Sequence, residues 1–319
     1  MPVRPDRIAA TSFGLFCKSF RRDLVPFERL LASANEHARD PMPLAVSVPA
    51  EDLPLFAPIV RRHAGGRIDV QLTADEELLG ISMPQTWHAQ QVVKLEAWRL
   101  GFAETFLVVD SDFRFLRGFG ASDFVLPDGR VPCILSCRAA TYDDDFAGRS
   151  ACTVDVAQLR DTAVSPPRWG TLSRTTRWLD QLLDRPYDRM IHRIRRVFGR
   201  RPPSFYCMPG PVWRRSLCRA FHEQFRIPRN LSTMDLIRYA PWEALWMAEF
   251  VLALGLPDLV PREPYFLSFP DDGSIRRARA RGFRADQLPP HCLGIVVATP
   301  HCQLDPLLPG EAARSLAGA

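Results

Sequence analysis

Over roughly its first 120 residues the chain alternates short apolar strands with amphipathic helices, the pattern of a parallel sheet covered by helices on both faces. Ile8–Phe16 reads as a first strand with a polar break at Thr11-Ser12. A helix over residues 22–38 follows, with Leu24, Phe27, Leu30, Leu31 and Ala34 at helical spacing and Pro26 in its first turn. "PLAVSVP" predicts a second strand, "DLPLFAPIVRRHA" a second helix, and "GGRIDVQLT" a short third strand. "TWHAQQVVKLEAWRLG" is helical in spacing, with Gly101 as its stop. The strand that follows, Phe106–Val109, is apolar on both faces and therefore interior. It stops on Asp110, Ser111 and Asp112.

Beyond Gly120 the pattern is irregular. Residues 123–137 predict a hairpin around Pro127-Asp128-Gly129, and residues 171–184 and 189–199 predict helices. A helix is predicted from about Val212, another over "PWEALWMAEFVLALG", and a last strand in "CLGIVVATP" before a Pro-rich tail. The expected organisation is one domain over 1–300, with a nucleotide-binding half at about 8–120, an acceptor-side half at about 121–300, and a tail at 301–319.

Parallel sheets bind ligands outside the carboxyl ends of their strands. Two carboxylates one residue apart at such an end can approach one hard cation, and Mg²⁺ or Mn²⁺ commonly takes one or two carboxylates plus substrate phosphates. "TWHAQQVVKLEAWRLGFAETFLVVDSDFRFLRGF" resembles the DxD segment of GT-A type glycosyltransferases. More narrowly, it is similar to a bacterial glycosyltransferase-like group catalogued as a domain of unknown function. The shared positions are Trp87, Gln90, Gln91, Lys94 and Leu95 before the DSD strand, and a late Glu before an aromatic helix. Phe113 stands where that group tends to have Thr, and Leu245-Trp246-Met247 where it tends to have Leu-Tyr-Gly.

The resemblance implies a GT-A-like Rossmann-type fold with an irregular, α-rich C-terminal half. It implies sugar transfer from a nucleoside-diphosphate donor to a saccharide or lipid-linked acceptor, with Mn²⁺ or Mg²⁺ as cofactor. Asp112 would bind the metal, and Asp110 the ribose, the metal or a metal-bound water, with Ser111 between them. Thr11, Ser12 and Phe13 would meet nucleobase and ribose. Gln91 or Lys94 would touch the diphosphate, a solvated helix face being the alternative. Glu243, among aromatics, is the candidate general base, with Asp235 as the second carboxylate and a helix-start role as its alternative. His301 would be a third metal ligand.

Two other functions fit parts of the pattern. A haloacid-dehalogenase-like phosphohydrolase also ends a strand on two Asp, but it wants Thr or Val two residues past the second, where this chain has Arg114. A non-catalytic sugar- or nucleotide-binding module is the other.

Net charge is +5 and the sequence carries eight cysteines with no CxxC. Free thiols in a cytoplasmic protein are the expectation, as is the absence of a leader in the first residues. Asp143–Asp145 reads as a solvated loop, and the His291-Cys292 and His301-Cys302 pairs are too far apart along the chain for a compact zinc site. The basic helix around Arg189–Arg201 suits either peripheral docking at an anionic inner leaflet or an ordinary surface. It lacks interleaved stacking aromatics, which disfavours nucleic acid.

Overall fold

A computed structural model of the chain describes residues 11–136, 186–201, 205–255, 260–284 and 287–297. Its centre is a five-stranded sheet in the order β3-β2-β1-β4-β7. The strands are β1 (Thr11–Lys18), β2 (Met42–Val48), β3 (Ile68–Ala74), β4 (Ala103–Asp110) and β7 (Val212–Arg214). The first four are parallel and β7 is antiparallel to β4. Helices α1 (Leu24–His37), α2 (Leu53–Arg62), α3 (Asp75–Leu79) and α4 (Trp87–Glu96) fill the connections. The protein is thus α/β, with a mostly parallel central sheet flanked by helices.

Strand alternation divides the core between the two faces of the sheet. Leu15, Cys17, Leu44, Val46, Leu107 and Val109 pack with α1 and α2, whereas Phe16, Ala45, Phe106 and Val108 pack with α4 and the later helices. The later helix Glu243–Leu254 is apolar all round and buried on every side except at its last residue, as such a helix must be. Its internal Glu249 is matched by Arg200 in a buried two-pronged ion pair of 2.6 and 2.9 Å.

A second, three-stranded sheet has the order β5-β10-β9, formed by β5 (Phe113–Phe115), β9 (Phe266–Phe269) and β10 (Gly294–Val297). It explains Phe113. That ring is fully buried and packs edge-on against Phe266 at 4.7 Å, in the same core as Leu15, Cys17 and Leu107.

Several expected elements shift. β1 runs to Lys18 rather than ending near Phe16, because Lys18 is satisfied by Asp75 Oδ2 at 2.9 Å and can remain in the sheet. The Pro-Asp-Gly turn forms, closed by Leu126 N–H on Arg130 O at 2.9 Å, but no hairpin follows. β6 (Pro132–Ile134) instead pairs in parallel with β8 (Val260–Arg262). Val212–Arg214 is a strand and the helix starts only at Arg215. In the basic helix Pro186–Val197, Ile191, Ile194 and Val197 are buried in the core, so that apolar face is not available to a bilayer. Among the described residues no helix is long and apolar enough to cross a membrane.

Candidate functional site

The chain passes from β1 outward to β2 and β3, then returns to the other side of β1 as β4. Order reverses between β1 and β4, and a ligand crevice opens at such a switch point. Lys18 and Asp110 are paired in register at that end, so Ser19 and the Asp110-Ser111-Asp112 turn lie together at the carboxyl edge of the sheet.

Two sheets clamp the turn. β4 ends on Asp110, β5 begins at Phe113, and Val297 N–H of β10 donates to Asp112 O at 3.2 Å. Arg114, buried beneath, donates from Nη1 to Phe113 O at 2.7 Å and Ser111 O at 3.3 Å. Ser19 Oγ donates to Ser111 Oγ at 3.3 Å, and Ser111 Oγ in turn donates to Asp23 Oδ2 at 3.1 Å. A turn tied at both ends and from below is preorganised for a ligand.

Asp110 is held from α4. Lys94 Nζ lies 2.6 Å from Asp110 Oδ1 and 3.3 Å from Glu243 Oε1. Lys94 is 3% and Glu243 1% exposed, while Asp110 keeps 32% of its side chain exposed. Gln91, one helical turn before Lys94, lies against the same carboxylate. With its NH₂ toward Glu243 it donates to Oε2 and accepts from Trp87 Nε1 at 3.2 Å. The opposite orientation keeps only a 3.3 Å bond from Glu243 N–H, so the first is preferred. Glu243 also opens its helix, where the N-terminal dipole favours a carboxylate.

The electrostatics follow from burial and charge. Burial alone would lower the Lys94 pKa, but Asp110 and Glu243 outweigh it and hold the amine above its ordinary value. Burial raises Glu243, opposed by Lys94 and reinforced by Asp110. Asp112 is pushed up to about 7, first by burial and then by the charge of Asp110. Burial likewise raises Asp23, against its bond from Ser111.

These groups test whether a hard cation fits. Asp112 Oδ1 is shielded from solvent and receives no hydrogen bond. An orphaned carboxylate oxygen next to a second, partly exposed carboxylate is a donor set that suits Mg²⁺ or Mn²⁺. Among the described residues no three His, Cys, Asp or Glu side chains gather into a metal cage. A hard cation held here would draw its remaining ligands from water or a bound molecule.

The other sequence expectations fall elsewhere. Thr11, Ser12 and Phe13 lie at the opposite end of β1 from Lys18, roughly 16–23 Å away at 3.3 Å per residue. Phe13 stacks on Phe124 at 4.7 Å. Gln91 and Lys94 are at the site but buried and engaged with Glu243 and Asp110, not presented to a diphosphate. Glu243 is buried with them, 1% exposed, and so is not presented at the surface as a general base would be. Asp235 is half-buried and caps its helix, accepting from Ser232 Oγ at 2.6 Å and Ser232 N–H at 2.9 Å. These bonds hold its pKa below the usual range. Asp235→Ala is expected to cost about 1 kcal/mol in urea unfolding and to leave ligand binding at the crevice unchanged. His291 pairs with Glu263 at 3.1 Å. His301 and Asp143–Asp145 lie outside the described residues.

Sequence reading missed Lys18, Ser19, Asp23, Arg114 and the role of Trp87. A correct end for β1 would have exposed the first three. A cleft of about 300 Å³ adjoins the carboxyl edge and is lined by Lys18, Phe20, Arg22, Asp75, Trp87 and Gln90, among others.

Fold and site together define an α/β protein with two carboxylates, Asp110 and Asp112, at the switch point of its sheet. The chain belongs to a family of unknown function, DUF6492, which matches residues 21–226. That span holds Lys94, Asp110 and Asp112, and stops short of Glu243. No curated protein matches the chain.

Proposed function

We propose that the protein is a metal-dependent glycosyltransferase of GT-A type, taking a sugar from a nucleoside diphosphate to an acceptor hydroxyl. The observation that carries this reading is the shielded, unpartnered Oδ1 of Asp112 beside Asp110 at the switch crevice. Asp112 and Asp110 would hold Mn²⁺ or Mg²⁺. The cation, when bound, would neutralise charge developing on the leaving diphosphate.

The chain's own residues divide the remaining work. Lys94 fixes the direction of the Asp110 carboxylate and is itself steadied by Glu243 and Gln91. The cleft between Phe20 and Trp87 takes the nucleoside, in place of Thr11–Phe13, and Arg22 supplies positive charge at its wall. Phosphohydrolase chemistry is less well supported: an Asp110 whose Oδ1 is taken by Lys94 is poorly placed to accept a phosphoryl group.

The test is thermal unfolding with Mn²⁺ and a panel of nucleoside-diphosphate sugars. One donor class should raise Tm only when Mn²⁺ is present, since a ligand that binds the native state alone stabilises it by mass action. Asp112→Asn should lose the shift. If no donor shifts the wild-type protein, the reading fails.

A further inference from the structure

A second cavity, of about 420 Å³, lies on the β7 side of the sheet. One wall is the Glu243–Leu254 helix, which presents Ala244, Met247, Ala248, Val251 and Leu254 at helical spacing. From Ala244 to Val251 this stripe runs about 10 Å. The opposite wall is Trp213, Val212 and Pro132–Ile134, with Leu217 and Ala220 alongside. Two of its liners are close to the carboxylate site: Ala244 follows Glu243, and Pro211 O accepts from Val108 N–H at 2.9 Å, two residues before Asp110.

The polar liners are few and sit toward the outside. Ser216 and Gln224 are exposed and Arg214 is half-buried. Arg214 donates to a carbonyl, Gly129 O, and among the described residues no carboxylate neutralises it. An elongated apolar space with one unneutralised guanidinium at its rim is complementary to a particular ligand shape. A hydrocarbon tail would be desolvated inside, and an anionic head would meet Arg214.

We infer that this cavity is a binding site for a single-chain anionic amphiphile, tail against Ala244–Val251 and head at Arg214. The site is separate from the carboxylate crevice and does not depend on the transferase reading.

Trp213 in the wall supplies the readout. 12-Bromododecyl phosphate, used below its micellar concentration, should quench the Trp213 component of fluorescence saturably. That component is defined by subtracting the Trp213→Phe variant, whose folding is checked by circular dichroism. Ala248→Leu adds volume into the cavity and should weaken binding at least tenfold while the protein stays folded. Bromododecyl trimethylammonium, with the same tail and opposite charge, should bind at least tenfold more weakly, and Arg214→Gln should erase that preference. The inference is overturned if Trp213 is not quenched saturably, if Ala248→Leu binds as tightly as wild type, or if both head groups bind equally.

Discussion

Lys94→Met is expected to cost about 3–5 kcal/mol of stability at pH 8, the usual result of removing one member of a buried ion pair. The cost arises because Glu243, 1% exposed, is left without its cation while Asp110 stays close. Glu243 can escape part of it by taking a proton. Its pKa is already raised by burial, and the loss of Lys94 removes the positive charge that opposes this. The destabilisation should therefore shrink as pH falls from 8 to 5. Adding Glu243→Gln should restore most of the lost stability at pH 8, because the amide needs no counter-charge. Urea unfolding of the wild type, the single variant and the double variant measures all three. A loss under about 1 kcal/mol, or one that Glu243→Gln does not relieve, would show that the pair contributes little.

The second large effect is on Asp112. Its folded pKa is about 7 against an ordinary 3.8, so between those values the native state binds a proton that the unfolded chain does not. The stabilisation from that extra proton is complete below about pH 4 and is lost as pH rises through 7. In metal-free protein, wild type should lose stability relative to Asp112→Asn across this window, by at most about 1.4 kcal/mol per pH unit. Under the metal-dependent reading proposed above, divalent cations would compete with the proton for the same oxygen. Mn²⁺ affinity should then fall by up to about tenfold for each unit below pH 7, and level off above it. Equal pH slopes for the two proteins, or Mn²⁺ binding that is flat from pH 5 to 8, would refute the assignment.

The helices of the first half were legible because their periodicity is strong. α1 and α2 fall within two residues of the spans read from Leu24-Phe27-Leu30-Leu31 and from "DLPLFAPIVRRHA". α4 starts within a residue of its span but ends at Glu96, and a 3-10 turn over Ala97–Leu100 carries the segment on to Gly101. Gly101 does stop its segment, with φ at +68°, a conformation glycine adopts without strain. The end of β1 was misplaced because a lysine after an apolar run looks like the end of a strand. Lys18 remains in the strand because Asp75 reaches it from the end of β3. The 123–137 segment failed for a related reason. Its turn is local and formed as expected, but the partner of β6 comes from residues 260–262, which no local pattern specifies.

The sequence by itself determined the alternating α/β frame and that two carboxylates close an interior strand, since both depend on spacing along the chain. Only the tertiary structure decided what surrounds them. Gln91 and Glu243, 152 residues apart, meet beside Lys94 and turn an apparently solvated helix face into the buried support of Asp110. Burial of a charge depends on which partner arrives from elsewhere in the chain, and spacing along one helix carries no record of that.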